Sequence, residues 1–236
     1  MKRMLLIVIA AALIGSIAFA QSNQVLSRNA VGYAKVVAPR GNFALVRNDF
    51  KALSGTANPS NLFGLSTFPL GTRLYVWDRG GQQYAFENFL SNKADNIHWE
   101  PGTNILTTGS GFWIQVPGTA PSNNYTAFMM GEVPDRFTSP TATYFVAEGF
   151  NLLGYPFPAD ALWTNTELAK NAKLGDALWT FTTNGYDRNT LTSNKADGVH
   201  WDNTTQFMYV AQGYWFKRNT GNGTMTWNQP KPYTWP

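Results

Sequence analysis

Asp95, His98 and Glu100 stand in one decamer, Ser91-Asn92-Lys93-Ala94-Asp95-Asn96-Ile97-His98-Trp99-Glu100. Asp197, His200 and Asp202 stand in a second, Ser193-Asn194-Lys195-Ala196-Asp197-Gly198-Val199-His200-Trp201-Asp202, 102 positions later. Seven of the ten residues are identical, and the chain's only two histidines hold matched positions. An imidazole with two carboxylates is a ligand set for Zn²⁺ or another divalent ion. The spacing D-x-x-H-x-[DE] corresponds to no established metal motif, however. The reading therefore assigns no metal and no cofactor, and keeps these six residues as the metal-like candidates. The competing reading is structural. Asn-Lys-Ala-Asp forms a turn, the histidine is a half-buried hydrogen-bonding spacer, and Trp99 and Trp201 drop inward as equivalent anchors.

Other chemistry is sparse. No G-x-S-x-G elbow, H-E-x-x-H helix, P-loop or G-x-G-x-x-G occurs. The absence of cysteine removes thiol catalysis and thiolate metal sites. A pair of carboxylates suffices for glycoside hydrolysis, which keeps a glycoside-active enzyme open. An active site normally converges from unlike residues, so equal decoration of two repeats fits repeated binding or packing better, and no catalytic residue is assigned. Aromatics make up 15% of the chain, with nine tryptophans. They can stack on sugar faces, form a subunit interface or fill cores. Trp77, Trp99, Trp113, Trp179, Trp201 and Trp215 recur with the strand pattern and read as core. Trp163, Trp227 and Trp235 lack clear partners in the first repeat, which makes them the candidate ligand or interface residues.

The elements that position these residues begin after a targeting segment. Lys2 and Arg3, the apolar run Met4 to Ile14 and the Ala18-Phe19-Ala20 cleavage site mark residues 1–20 as a secretory signal peptide. Its removal lowers the formal charge from +4 to +2. No Lys/Arg cluster follows, so no nucleic-acid partner is expected. No second long apolar run follows either, so no stable membrane insertion is expected after cleavage.

Short apolar runs separated by Gly, Pro and Asn describe an all-β chain. The expectation is two similar β-sandwich or barrel-like modules in tandem, residues 28–134 and 140–236. Gly80-Gly81 and Asn184-Gly185 mark a hairpin in each, Asn58-Pro59-Ser60-Asn61 reads as loop, and Gly131-Glu132-Val133-Pro134 reads as linker. One short helix is expected, in the second module, with Thr164 as N-cap and Glu167 at N3.

Gly149-Phe150-Asn151-Leu152-Leu153-Gly154-Tyr155-Pro156-Phe157-Pro158-Ala159-Asp160, followed by Trp163, resembles the "GWNLxGNPYPS…W" start of a secreted module. That module occurs in proteins of Bacteroidetes and of the Planctomycetes–Verrucomicrobia group. The hairpin Leu74 to Asp78 with Tyr84, the glycine-aromatic strand Gly109 to Val116 and the joining Gly131-Glu132-Val133-Pro134 are similar to the family's later motifs. The first repeat departs from the family start, with Arg47-Asn48-Asp49-Phe50. The resemblance implies secreted bacterial β-modules without an established catalytic activity.

Together these readings predict a secreted, non-enzymatic structural or adhesive surface protein that self-assembles, with copies of itself, extracellular matrix or glycan as partners. The alternative is a carbohydrate-binding protein that uses exposed Trp and Tyr.

Overall fold

The computed structural model describes residues 30–53, 55–64, 68–134 and 140–233. Residues 1–20, expected to be a signal peptide, and Trp235 lie outside them.

In the first half, strand β1 (Val31–Pro39) pairs antiparallel with β7 (Asn124–Glu132) as a two-stranded ribbon. Between them the chain makes β2 (Phe43–Arg47), the short helix α1 (Pro59–Phe63), β3 (Arg73–Asp78), β4 (Gln83–Asn92), β5 (Asn96–Glu100) and β6 (Gly111–Gln115). The five strands form an antiparallel sheet in the order β2-β6-β3-β4-β5. The ribbon alternates strictly, with Ala34, Val36, Ala38, Ala127 and Met129 inward. Small inward residues let it lie close over Leu74, Phe89, Trp99, Phe112 and Ile114 of the sheet, with Leu62 and Phe63 of α1 closing the core. Burial of each such large side chain is worth roughly 1.5–3 kcal/mol, and these contacts hold the layers together.

The second half repeats the plan. Strand β8 (Thr141–Val146) precedes β9 (Gly149–Leu153), β10 (Ala161–Leu162) and the helix α2 (Glu167–Lys170). Then come β11 (Ala177–Thr182), β12 (Gly185–Asn194), β13 (Gly198–Trp201), β14 (Phe207–Met208), β15 (Tyr214–Arg218) and β16 (Met225–Pro230). Strand β8 pairs with β16, and the sheet order β9-β15-β11-β12-β13 matches that of the first half strand for strand. All of these pairings are antiparallel.

Four expectations change on this frame. The first half has its own helix: Asn58 caps α1 through its side chain to the Asn61 N–H, with Pro59 at the first helical position. In the second half the cap is Thr166, whose Oγ1 accepts from the Ala169 N–H at 3.1 Å, and Glu167 is the first helical residue. Gly131 and Glu132 are the end of β7, not linker, and Glu132 exchanges both backbone hydrogen bonds with Lys51. Trp163 and Trp227, expected at an exposed interface, are 0% and 1% exposed. The Trp163 ring packs edge-on against Trp201 at 5.0 Å, where the first half sets Phe68 against Trp99. Trp227 takes an inward ribbon position that Ala127 and Met129 supply in the first half, and its N–H donates to Gln229 Oε1 at 3.1 Å.

The two halves meet sheet to sheet. The face of each sheet opposite its own core carries Leu45, Tyr75, Trp77 and Trp113 on one side and Leu152, Trp179, Phe181 and Trp215 on the other. Trp77, Trp113, Trp179 and Trp215 thus build the seam, while Trp99 and Trp201 fill the separate cores as expected.

Candidate functional site

Each decamer folds as a hairpin turn. Asn92 Oδ1 accepts from the N–H groups of Ala94 and Asp95 at 2.9 and 2.6 Å, and Asn194 does the same for Ala196 and Asp197. Asp95 and Asp197 accept from the same asparagines' amides. His98 Nδ1 lies 3.2 Å from the Asn96 carbonyl, and His200 Nδ1 lies 3.1 Å from that of Gly198. Asp202 accepts from the Thr192 hydroxyl at 3.0 Å. The candidate carboxylates are spread along each hairpin, Asp95 at its tip and Glu100 at the far end of β5. Among the described residues no three His, Asp or Glu side chains converge as an ion site. The hairpins project Trp99 and Trp201 into matched places in the two cores.

The geometry that does converge is the seam. In β3, Leu74 faces the core and Tyr75 and Trp77 face the other half; in β15, Tyr214 and Phe216 face the core and Trp215 the seam. Period-two alternation with aromatics at both phases means both faces of each sheet are covered. Trp77 meets Trp215 edge-on at 5.1 Å, and Phe181 meets Trp113 edge-on at 4.8 Å. These contacts are reciprocal. Trp113 and Trp215 hold equivalent positions in β6 and β15, and Trp77 and Phe181 hold them in β3 and β11. The backbone repeats the exchange, with bridges Val46–Gln212 and Ser110–Leu153. Such an isologous arrangement is a pseudo-twofold.

Two open pockets flank this axis. One, about 330 Å³, is lined by Trp77, Tyr84, Phe150, Trp179, Tyr186 and Trp215. The other, about 310 Å³, is lined by Phe43, Tyr75, Tyr84, Trp113, Phe181 and Tyr186. Each residue of the first has its repeat counterpart in the second, and Tyr84 and Tyr186 border both. These two tyrosines are 45% and 46% exposed, so the pockets open to solvent as one cleft. Trp113 Nε1–H donates to the Tyr84 hydroxyl at 3.1 Å. Burial pushes both phenols above their ordinary pKa, which keeps them neutral hydrogen-bonding groups. The lining is aromatic throughout, with no carboxylate, imidazole or ammonium.

The seam is locked from outside. Hairpin β3–β4 lays Gln82 along the edge of β9: its amide oxygen accepts from the Phe150 N–H at 3.0 Å and its amide nitrogen donates to the Phe150 carbonyl at 3.1 Å. Trp77 Nε1–H donates to the same carbonyl at 2.8 Å. Arg79 donates to the Phe145 carbonyl, and the Tyr144 hydroxyl to that of Thr108.

Arg47, at the end of β2, is wholly buried and crosses into the second half. It donates to the carbonyls of Tyr155, Phe157 and Ala159. Its Nε lies 2.6 Å from Asp49 Oδ1, a close ion pair whose angle falls short of a hydrogen bond. Asp49 Oδ2 accepts from the Ala211 N–H at 2.7 Å. Burial pushes the Asp49 carboxyl up to about 6 despite the neighbouring guanidinium, and lowers the Arg47 pKa from its ordinary value.

Of the three tryptophans singled out for ligand contact, Trp163 and Trp227 are core and lie outside this cleft, and Trp235 is outside the described residues. No protein-family model, curated protein or solved structure matches this chain.

Proposed function

We propose that the chain is a secreted, non-enzymatic carbohydrate-binding protein whose site is the aromatic cleft on the seam. The observation that carries this reading is the pair of open, all-aromatic pockets on a rigid frame. Sugar rings present flat patches of C–H bonds that stack on indole and phenol faces, while their hydroxyls reach the polar edges of Tyr and Trp. Volumes near 300 Å³ fall at the lower end of ligand pockets. The preformed Trp113–Tyr84 hydrogen bond and the edge-on packing of the seam indoles reduce the ordering entropy lost on binding. Hydrolysis would need two carboxylates flanking the sugar, and an all-aromatic lining favours binding over turnover. The signal peptide and the low charge fit work outside the cell. A glycan array, followed by fluorescence titration of the seam tryptophans, tests the reading. Binding should be lost in Tyr84→Ala/Tyr186→Ala, checked for folding by thermal melting. A panel with no binder would overturn it.

Self-association is supported by a separate observation. The outer face of the β1–β7 ribbon exposes Val31, Tyr33, Val37, Phe128 and Met130, whereas the matching face of β8–β16 carries Thr141, Thr143, Thr226 and Asn228 with Phe145 as its exposed large apolar side chain. Exposed apolar patches of this kind mark contact surfaces. Sedimentation of the wild type and of Tyr33→Ser/Phe128→Ser should show association lost in the variant; a monomeric wild type at high concentration removes this reading.

A further inference from the structure

Resting on the reading of the seam as a glycan site, we infer that the two pockets are successive stations for one linear polysaccharide, and that the sugar at the Trp179 station carries an anionic group. The two pockets are continuous. Tyr84 and Tyr186 border both pockets, so a ring seated in either one touches the tyrosines that open the other. A ligand with one flat unit uses half of the cleft, and a chain of similar units uses all of it.

The pseudo-symmetry breaks at one of the two pockets. At the Trp179 station, Arg188 Cζ stands 5.7 Å from the centre of the Trp179 ring, and Lys217 Nζ stands 5.5 Å from that of Phe150. Strand register identifies their counterparts. Arg188 pairs with Trp179 as Phe86 pairs with Tyr75, and Lys217 pairs with Phe150 as Gln115 pairs with Phe43. One station is thus flanked by two cations and the other by a phenyl ring and an amide. Neither Arg188 nor Lys217 forms an ion pair among the described residues, and no acidic side chain lines either pocket. Arg188 Nε–H donates to the Thr190 hydroxyl at 2.7 Å, which holds the guanidinium beside Trp179. Two cations without an ion-pair partner next to the rings that seat a ligand oppose a cationic ligand and favour a carboxylate or sulfate on its rim. Guanidinium matches either group with paired donors. Aromatic stacking tolerates both senses of a directional chain, so the charged rim also sets which end lies over Trp179.

The test is calorimetric titration of the mature protein with defined fragments at low and high salt. The probes are oligogalacturonates of two to eight units, a chondroitin-type sulfated fragment of similar length, and neutral cello-oligosaccharides. The acidic chains should bind about tenfold or more tighter than the neutral ones, the scale of one added charge-assisted contact. That margin should shrink with salt, and affinity should rise with length until both stations are filled. R188Q/K217Q should bind acidic and neutral chains alike. The carboxylate and sulfate probes separate the two possible anions. Neutral chains that bind as tightly as acidic ones, or a disaccharide that binds as tightly as the octamer, would overturn the inference while leaving the glycan site standing. Absence of binding by every probe and every array glycan would instead remove the glycan reading itself.

Discussion

Arg47→Ala removes the guanidinium that ties the two halves together at their most buried point. The side chain is fully enclosed, pairs with Asp49 at 2.6 Å and satisfies three carbonyls of the second half. Its loss leaves Asp49 an uncompensated buried charge, which costs about 3–5 kcal/mol. Each carbonyl left dry adds roughly 1 kcal/mol. The total is a large share of the 5–15 kcal/mol that holds a typical fold together. With a urea dependence of about 2–3 kcal/mol per molar for a chain of this size, the unfolding midpoint should fall by about 2–4 M. Arg47→Lys should recover only part of this, because an ammonium keeps the charge without the planar fork that reaches several acceptors. Chemical unfolding followed by tryptophan fluorescence measures both variants. A midpoint shift below about 0.5 M for Arg47→Ala would refute the idea that this residue locks the seam.

The Asp49 carboxyl, raised to about 6 by burial, binds its proton more tightly folded than unfolded. The stability it contributes is therefore full below about pH 4 and lost as pH rises through 6. Relative to Asp49→Asn, the wild type should gain on acidification from pH 7, by at most about 1.4 kcal/mol per unit; urea midpoints with equal slopes in both proteins would contradict this. Trp201→Ala should cost about 3–5 kcal/mol and His200→Ala less than about 1 kcal/mol, with no effect of a chelator on either. A chelator that lowers the wild-type melting temperature would make the decamer a metal site. A methyl group at Gly154 would meet the Arg47 side chain, so Gly154→Ala should destabilise, and its cost should be less than additive with Arg47→Ala.

The strands along the chain, their hairpins and the decamer turns were legible in the sequence because they rest on local signals. Asn followed by Lys-Ala-Asp closes its own turn, and the repeated indole after it has one inward direction. The faces of the remaining strands were not legible. Leu74-Tyr75-Val76-Trp77 and Phe112-Trp113-Ile114 place large apolar groups at both phases of the pleat. A single repeat unit therefore says that both faces are covered without saying what covers the second. That partner is the other half, met through contacts such as Trp77–Trp215 and Trp113–Phe181 between residues far apart along the chain. Trp163 misled for a related reason. It has no aligned counterpart, yet its place beside Trp201 corresponds to that of Phe68 beside Trp99, supplied from a different loop. The helix α1 was hidden by Asn58-Pro59, which signals a turn as readily as a capped helix start.

Ligand contact at the seam, proposed above, is the claim most directly open to measurement. The indole N–H resonances of the nine tryptophans report on it separately, in a ¹⁵N correlation spectrum recorded while an acidic oligosaccharide is titrated in. The prediction is that Trp77, Trp113, Trp179 and Trp215 shift together with a common saturation point, while Trp99, Trp163, Trp201 and Trp227 stay in place. Shifts confined to the core indoles or to Trp235, or seam resonances that do not move while the sugar binds, would contradict it.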